Sequence, residues 1–145
     1  MTTFILLLSA IANLFANAPE VRPTYDWLAP ACQTYISDNI WQIRYVPPGE
    51  AEDPRYRHAL AYVSARTVYV GDEFLAVPVD FQAFVLVHEA AHGHDWKLYN
   101  RYILSESQAD YVAWGCYHLS QGWKYPIGRT PEESLQLIQA STAVR

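Results

Sequence analysis

Cysteine is scarce in this sequence, whose 145 residues include only Cys32 and Cys116. Neither belongs to a Cys-x-x-Cys pair, which argues against the usual cysteine-based metal and redox motifs. Two cysteines this far apart fit a single disulfide if the chain is exported, and two buried thiols otherwise. Both alternatives stay open at the level of sequence.

Clustered basic residues are also lacking. The 10 Lys and Arg residues are scattered among 15 Asp and Glu residues, which gives a formal net charge of −5. We therefore expect no nucleic acid partner, and an anionic membrane surface is not an obvious partner either. The charge also gives no information about the substrate. A glycine-rich phosphate-binding loop, a heptad run and an internal repeat are absent as well, which argues against P-loop, coiled-coil and solenoid proteins.

No apolar run reaches the roughly 20 residues that a membrane span requires. Residues 1–18 carry no charged side chain, and the apolar run 4–12 ends near Ala16-Asn17-Ala18. This pattern resembles a signal peptide, although no Lys or Arg precedes the run and Pro19 would follow the cleavage site. We predict an exported or membrane-anchored protein, with membrane association through residues 4–16. The alternative is the first buried helix of a cytoplasmic domain.

The remaining composition is that of a folded domain. Hydrophobic residues make up 51% of the chain and aromatic residues 14%, which is ample for a core. The length predicts one domain over residues 19–145, following a leader of residues 1–18.

The stretch Val79–Gly93 predicts one helix that carries the pattern His-Glu-x-x-His. We expect Asp80 to be its N-cap, with Val79 and Phe84 packing as a hydrophobic staple. His88 and His92 lie four residues apart and therefore share a helix face. Two neutral imidazoles can hold a zinc ion, and the intervening Glu89 can reach a water on that ion.

A second helix is predicted to begin near Glu106, because Ser105 and Gln108 have the spacing of a capping box. Glu106 and Asp110 share a face of this helix. Alternatively, the two carboxylates only line a solvent-exposed face of the helix, where negative charge near the N-terminus is favourable. A carboxylate such as Asp110 can accept a hydrogen bond from the far nitrogen of a ligating histidine, which fixes the tautomer of that histidine.

These two motifs resemble those of the gluzincins, zinc metallopeptidases with His-Glu-x-x-His followed by Glu-x-x-x-Asp, and are most similar to their smallest forms. The resemblance covers residues 79 to about 120. It implies zinc bound by His88, His92 and Glu106, Glu89 as general base, and Asp110 orienting a ligand imidazole. It also implies an α+β mini-zincin fold, with a small sheet over the metal helix and a mainly helical C-terminal half.

The other predicted elements are short. We expect a helix over 24–36 with Pro30 in its first turn, and a strand over 40–46 with Trp41, Ile43 and Tyr45 on one face. A surface loop follows over 47–55, then strands over 59–63 and 66–70, and a last helix begins near Thr130. The resemblance assigns strand 66–70 to the sheet edge that holds an extended substrate; the alternative is an ordinary sheet strand.

The segment after Gly93 is expected to turn the chain back toward the metal. We interpret His94 as a surface residue or a partner of the helix dipole, and expect the helix to have frayed by Asp95. An oxyanion donor besides the metal can come from a tyrosine or a protonated histidine. The candidates are Tyr99, Tyr102 and His118.

The sequence therefore predicts a zinc-dependent metalloendopeptidase that acts on a peptide or protein substrate through metal-activated water. One alternative is a zinc-stabilised, catalytically inactive binding or regulatory module. Another is an effector protease that cuts a single partner protein. Zinc fits two histidines and one glutamate, and other first-row divalent ions can occupy such a site.

Overall fold

The computed structural model describes residues 11–47, 50 and 60–122. Residues 11–15 are helical, a 3-10 helix spans Pro19–Val21, and the further elements are α1 (Arg22–Trp27), α2 (Pro30–Asn39), β1 (Gln42–Tyr45), β2 (Ala61–Ser64), β3 (Thr67–Val70), α3 (Asp72–Ala76), α4 (Val79–Tyr99) and α5 (Glu106–Ser120). The predicted last helix, residues 1–10 of the predicted leader, and residues 48–49 and 51–55 of the predicted loop lie outside the described residues.

The predicted α+β fold class is confirmed. A mixed three-stranded sheet has the order β1-β3-β2, in which β3 runs parallel to β1 and antiparallel to β2. Its strands place Ile43, Val63 and Val68 in register on one buried face, which packs onto α4 through β2 and β3. The part of the chain after residue 71 is mainly helical as far as residue 122.

The position of β3 corrects one prediction. The stretch 66–70 was expected at the sheet edge, but β3 is hydrogen-bonded on both sides, to β1 and to β2. A strand with two neighbours has no free backbone groups to offer a substrate. The strand at the edge near α4 is β2.

The strand 40–46 is shorter than predicted, and its aromatic residues do not form a buried face. Ile43 is fully buried, whereas Trp41 lies before the strand with 65% of its surface exposed and Tyr45 is also exposed. The guanidinium of Arg66 packs over the Trp41 ring at 4.4 Å from its centroid. Trp41 is therefore held by a cation–π contact at the surface.

The predicted helix over 24–36 is two helices, α1 and α2. Ala29 is extended (φ −58°, ψ 150°) because the residue before a proline avoids helical backbone angles. Pro30 occupies the first turn of α2, as predicted.

Leu14 and Phe15 are buried with the core, so the end of the predicted leader packs onto the domain. Whether residues 1–18 are removed stays a prediction. No helix within the described residues is long and apolar enough to cross a membrane.

A disulfide joins Cys32 of α2 to Cys116 of α5, so the alternative of two free thiols is wrong. Both cysteines are fully buried, and the bond fastens the N-terminal helical layer to α5. On the neighbouring helix, Gly93 allows α4 to approach α2 closely. A Cβ at this glycine would lie 2.6 Å from Ile40 Cδ1 and 2.9 Å from the carbonyl oxygen of Asn39.

Candidate metal centre

The helix α4 begins at Val79, two residues before a helix capped by Asp80 would begin, and ends at Tyr99, later than predicted. Pro78 is the N-cap, so the expectation of an Asp80 cap and of a Val79 staple is wrong: both residues lie inside the helix, and Val79 is exposed. Asp80 instead accepts hydrogen bonds from the Phe81 backbone N–H and the Tyr117 hydroxyl. The helix runs on to Tyr99 and ends at Asn100 in the left-handed conformation (φ 53°).

His88 and His92 lie one turn apart on α4, with their ring centroids 5.0 Å from each other. The carboxylate of Glu106 lies between them: its Oε2 is 2.9 Å from His88 Nε2 and its Oε1 is 3.0 Å from His92 Nε2. One oxygen or nitrogen atom from each of the three residues falls within 4.8 Å of the others. The structure thus brings the three predicted ligands to one point.

Glu106 and Asp110 are positioned by the start of α5. The predicted capping box is present, since Ser105 accepts the Gln108 backbone N–H and the Gln108 side chain accepts the Ser105 N–H. This cap fixes Glu106 in the first turn and Asp110 one turn later. Asp110 Oδ1 lies 2.7 Å from His88 Nδ1.

The contacts around the two imidazoles fit a cation. A neutral His88 that donates its Nδ1 hydrogen to Asp110 has a bare Nε2, which then faces an oxygen of Glu106. Two acceptors at 2.9 Å require a proton or a metal ion between them. At His92, Nε2 likewise faces an oxygen of Glu106 at 3.0 Å, and the buried Nδ1 forms no hydrogen bond with any described residue. Two imidazoles and one carboxylate are a donor set that zinc accepts.

The charge states of the neighbouring groups depend on burial. Burial, together with the negative charge of Glu106, raises the pKa of Glu89 from 4.5 to about 8, although a hydrogen bond from the Val63 backbone N–H acts in the opposite direction. Burial also lowers the pKa of His92, as does His88, against the opposing effect of nearby carboxylates. A lowered pKa favours the neutral imidazole, which is the form that binds metals.

A pocket of about 360 Å³ opens beside these groups. It lies between the edge strand β2, the face of α4 that carries Glu89 and His92, and the connection from α4 to α5. Its walls carry Glu89, His92 and Glu106 together with aromatic and aliphatic side chains: Ala61, Tyr62, Val63, Tyr102 and Leu104.

Of the three predicted oxyanion donors, Tyr102 alone borders this pocket. Its ring meets His92 edge-on at 6.0 Å between centroids, and its hydroxyl accepts the Ala65 backbone N–H at 2.9 Å. Tyr99 is an exposed residue at the end of α4, and His118 stacks on Trp114 in the last turns of α5. The structure places neither of these two on the pocket wall.

The expectations for the segment after Gly93 need correction. His94 is half-buried and stacks on Tyr35 of α2, so it is not a surface residue. Asp95 lies within the helix and is only 3% exposed. Its Oδ2 accepts the backbone N–H groups of Ile103 and Leu104, an anchor that the sequence reasoning missed. Asn100, a residue type that tolerates the left-handed conformation, could have marked the true end of the helix.

Comparisons with models of protein families, with curated proteins and with solved structures find no match for this chain. The likeness to the gluzincins therefore rests on the motif residues alone.

Proposed function

We propose that this protein is a zinc-dependent hydrolase of peptide bonds, with His88, His92 and Glu106 as metal ligands. The observation that carries the proposal is the convergence of two imidazole nitrogens and one carboxylate from α4 and α5 within 4.8 Å. A hydrogen-bonded carboxylate on the far nitrogen of a ligating histidine is a usual companion of zinc sites, and Asp110 occupies that position beside His88.

When bound to these residues, zinc would polarise a carbonyl group and lower the pKa of a bound water. Glu89 borders the same pocket as His92 and Glu106. We assign its carboxylate as the acceptor of a proton from the attacking water, and as the donor of that proton to the leaving amine. Asp110 holds the Nδ1 hydrogen of His88, which keeps His88 Nε2 directed at the metal position.

The surroundings of the centre favour an extended peptide as the substrate. The pocket is bounded by β2, a sheet edge whose backbone can pair with an added strand. Such pairing grips a peptide largely through its backbone, while alternate side chains enter pockets. The aromatic and aliphatic wall of the pocket suits an uncharged side chain next to the cleaved bond.

The first test is the metal content of the purified protein beside His88→Ala and Glu106→Ala. Wild type should carry about one zinc per chain, and both variants should lose it because each removes one of three ligands. His118→Ala is a matched control, since it removes a histidine of α5 that does not border the pocket. Retention of stoichiometric metal by either ligand variant contradicts the assigned site.

The second test separates an enzyme from a metal-stabilised binding module. Glu89→Gln should retain zinc but lose peptide cleavage by about 10²-fold or more, the usual contribution of a general base. A binding module predicts metal-dependent melting with no turnover in either protein. If general substrates such as casein are poor, cleavage of one partner protein at a single site supports the narrower effector protease.

A further inference from the structure

The connection between α4 and α5 is anchored by a buried carboxylate. Asp95 is 3% exposed, and a single oxygen of its side chain accepts the backbone N–H of Ile103 at 2.9 Å and of Leu104 at 2.7 Å. Burying a carboxylate is costly unless it is hydrogen-bonded, and these two donors offset that cost. The connection is therefore fastened to α4 just before α5 begins.

The anchor lies between the two halves of the candidate metal centre. Asp95 follows His92 by three residues on the same helix, and Leu104 precedes Glu106 by two residues. Ser105, between them, is the N-cap of α5. A short path of hydrogen bonds and backbone therefore runs from one candidate ligand to another through Asp95.

Glu106 needs such support from the backbone. Its side chain is 80% exposed, and the two histidines are its polar contacts among the described residues. An exposed glutamate carries considerable rotamer freedom, so its delivery to the metal position depends on where the first turn of α5 is held.

We propose that Asp95 is a positioning residue for metal binding: it fixes the α4–α5 connection so that the Glu106 carboxylate meets the Nε2 atoms of His88 and His92. Asp95 does not itself ligate the ion. The inference rests on the metal centre of the proposed function and adds a residue outside the His-Glu-x-x-His and Glu-x-x-x-Asp motifs.

The test is the zinc affinity of wild type, Asp95→Ala and Asp95→Asn, measured by competition with a chromophoric chelator. Asp95→Ala should bind zinc about 10- to 100-fold more weakly, the usual cost of losing a supporting partner of a metal site. Asp95→Asn should recover most of the affinity, because the amide oxygen can accept the same two N–H groups. Thr24→Val is a matched control: it removes the buried hydrogen bond from Thr24 to Gln82 of α4 without touching the connection.

A double-mutant cycle separates positioning from a general loss of stability. In a Glu106→Gln background, Asp95→Ala should weaken the binding of Co²⁺ or Zn²⁺ much less than it does in wild type, because the ligand that it positions is already impaired. An equal loss in both backgrounds, or no loss in wild type, overturns the proposal. If wild type itself binds no metal, the metal centre and the role of Asp95 both fail, whereas an Asp95→Ala protein that binds metal as tightly as wild type overturns the role of Asp95 alone.

Discussion

Glu89 provides the sharpest test of the electrostatics of this site. Its carboxyl group is buried beside Glu106, and its pKa in the metal-free protein is raised from 4.5 to about 8. The unfolded chain ionises this group at the lower value, so ionisation favours unfolding as the pH rises from 4.5 to about 8. Replacing Glu89 by glutamine removes the titration and should stabilise the metal-free protein at alkaline pH.

The magnitude follows from the two pKa values. Each unit of difference between the folded and unfolded states is worth about 1.4 kcal/mol, so the interval from 4.5 to about 8 amounts to about 4–5 kcal/mol. We expect Glu89→Gln to be more stable than wild type by about 1 kcal/mol at pH 5 and by about 4–5 kcal/mol at pH 8.5. The free energy of unfolding of a small domain is only about 5–15 kcal/mol, so a difference of this size is readily measured.

The assay is urea unfolding followed by tryptophan fluorescence, in the presence of a chelator and with the disulfide intact. Glu73→Gln, which removes an exposed carboxylate of α3, is the control and should show little change with pH. A cation beside Glu89 favours its ionised form, so added zinc should reduce the difference in unfolding free energy between Glu89→Gln and wild type. If the two proteins differ in unfolding free energy by the same amount at pH 5 and at pH 8.5 without metal, the reasoning is refuted.

Three further predictions concern the elements that hold the site. Gly93→Ala should destabilise the protein by about 1–3 kcal/mol in thermal melts, because its Cβ would overlap Ile40 Cδ1. Ala91→Gly exchanges the same two residue types at another buried position of the helix, and it measures how much the difference in helix propensity between alanine and glycine contributes. Ser105→Ala should cost about 1 kcal/mol of unfolding free energy through loss of the α5 cap, and Ser105→Asp should restore it; equal stability of all three proteins would contradict the role of the cap. Tyr102→Phe should cost about 1 kcal/mol, since the Ala65 N–H loses its acceptor, and should leave zinc affinity within about twofold of wild type; a large loss of affinity would instead make the hydroxyl part of the metal site.

Much of the candidate site could be predicted because its local geometry follows from helical periodicity. The four-residue spacing places His88 beside His92 and Glu106 beside Asp110, and the capping box fixes where α5 begins. That the two helices meet is a tertiary property. The hydrogen bonds of Asp95 to the connection between them are likewise non-local, and no local pattern reveals them.

The errors in the fold have the same origin. A glycine after a periodic stretch often marks a helix end, but Gly93 lies within α4, where close packing against α2 excludes a Cβ. Strand order is also non-local: strands of only four residues do not show from their sequences that β3 lies in the centre and β2 at the edge. The α+β class could be predicted because it depends only on which secondary-structure elements occur, and not on how they are arranged.

The disulfide between residues 32 and 116 closes a covalent ring that contains every strand of the sheet and the imidazoles and carboxylate of the candidate metal centre. When the oxidised chain loses its fold, these donor groups remain tethered within one loop and cannot separate as far as in a linear chain. An unfolded molecule would therefore keep its donors at a higher local concentration for recapture of an ion. Formation of one disulfide therefore keeps the three donors of the candidate metal centre close together even in the unfolded chain.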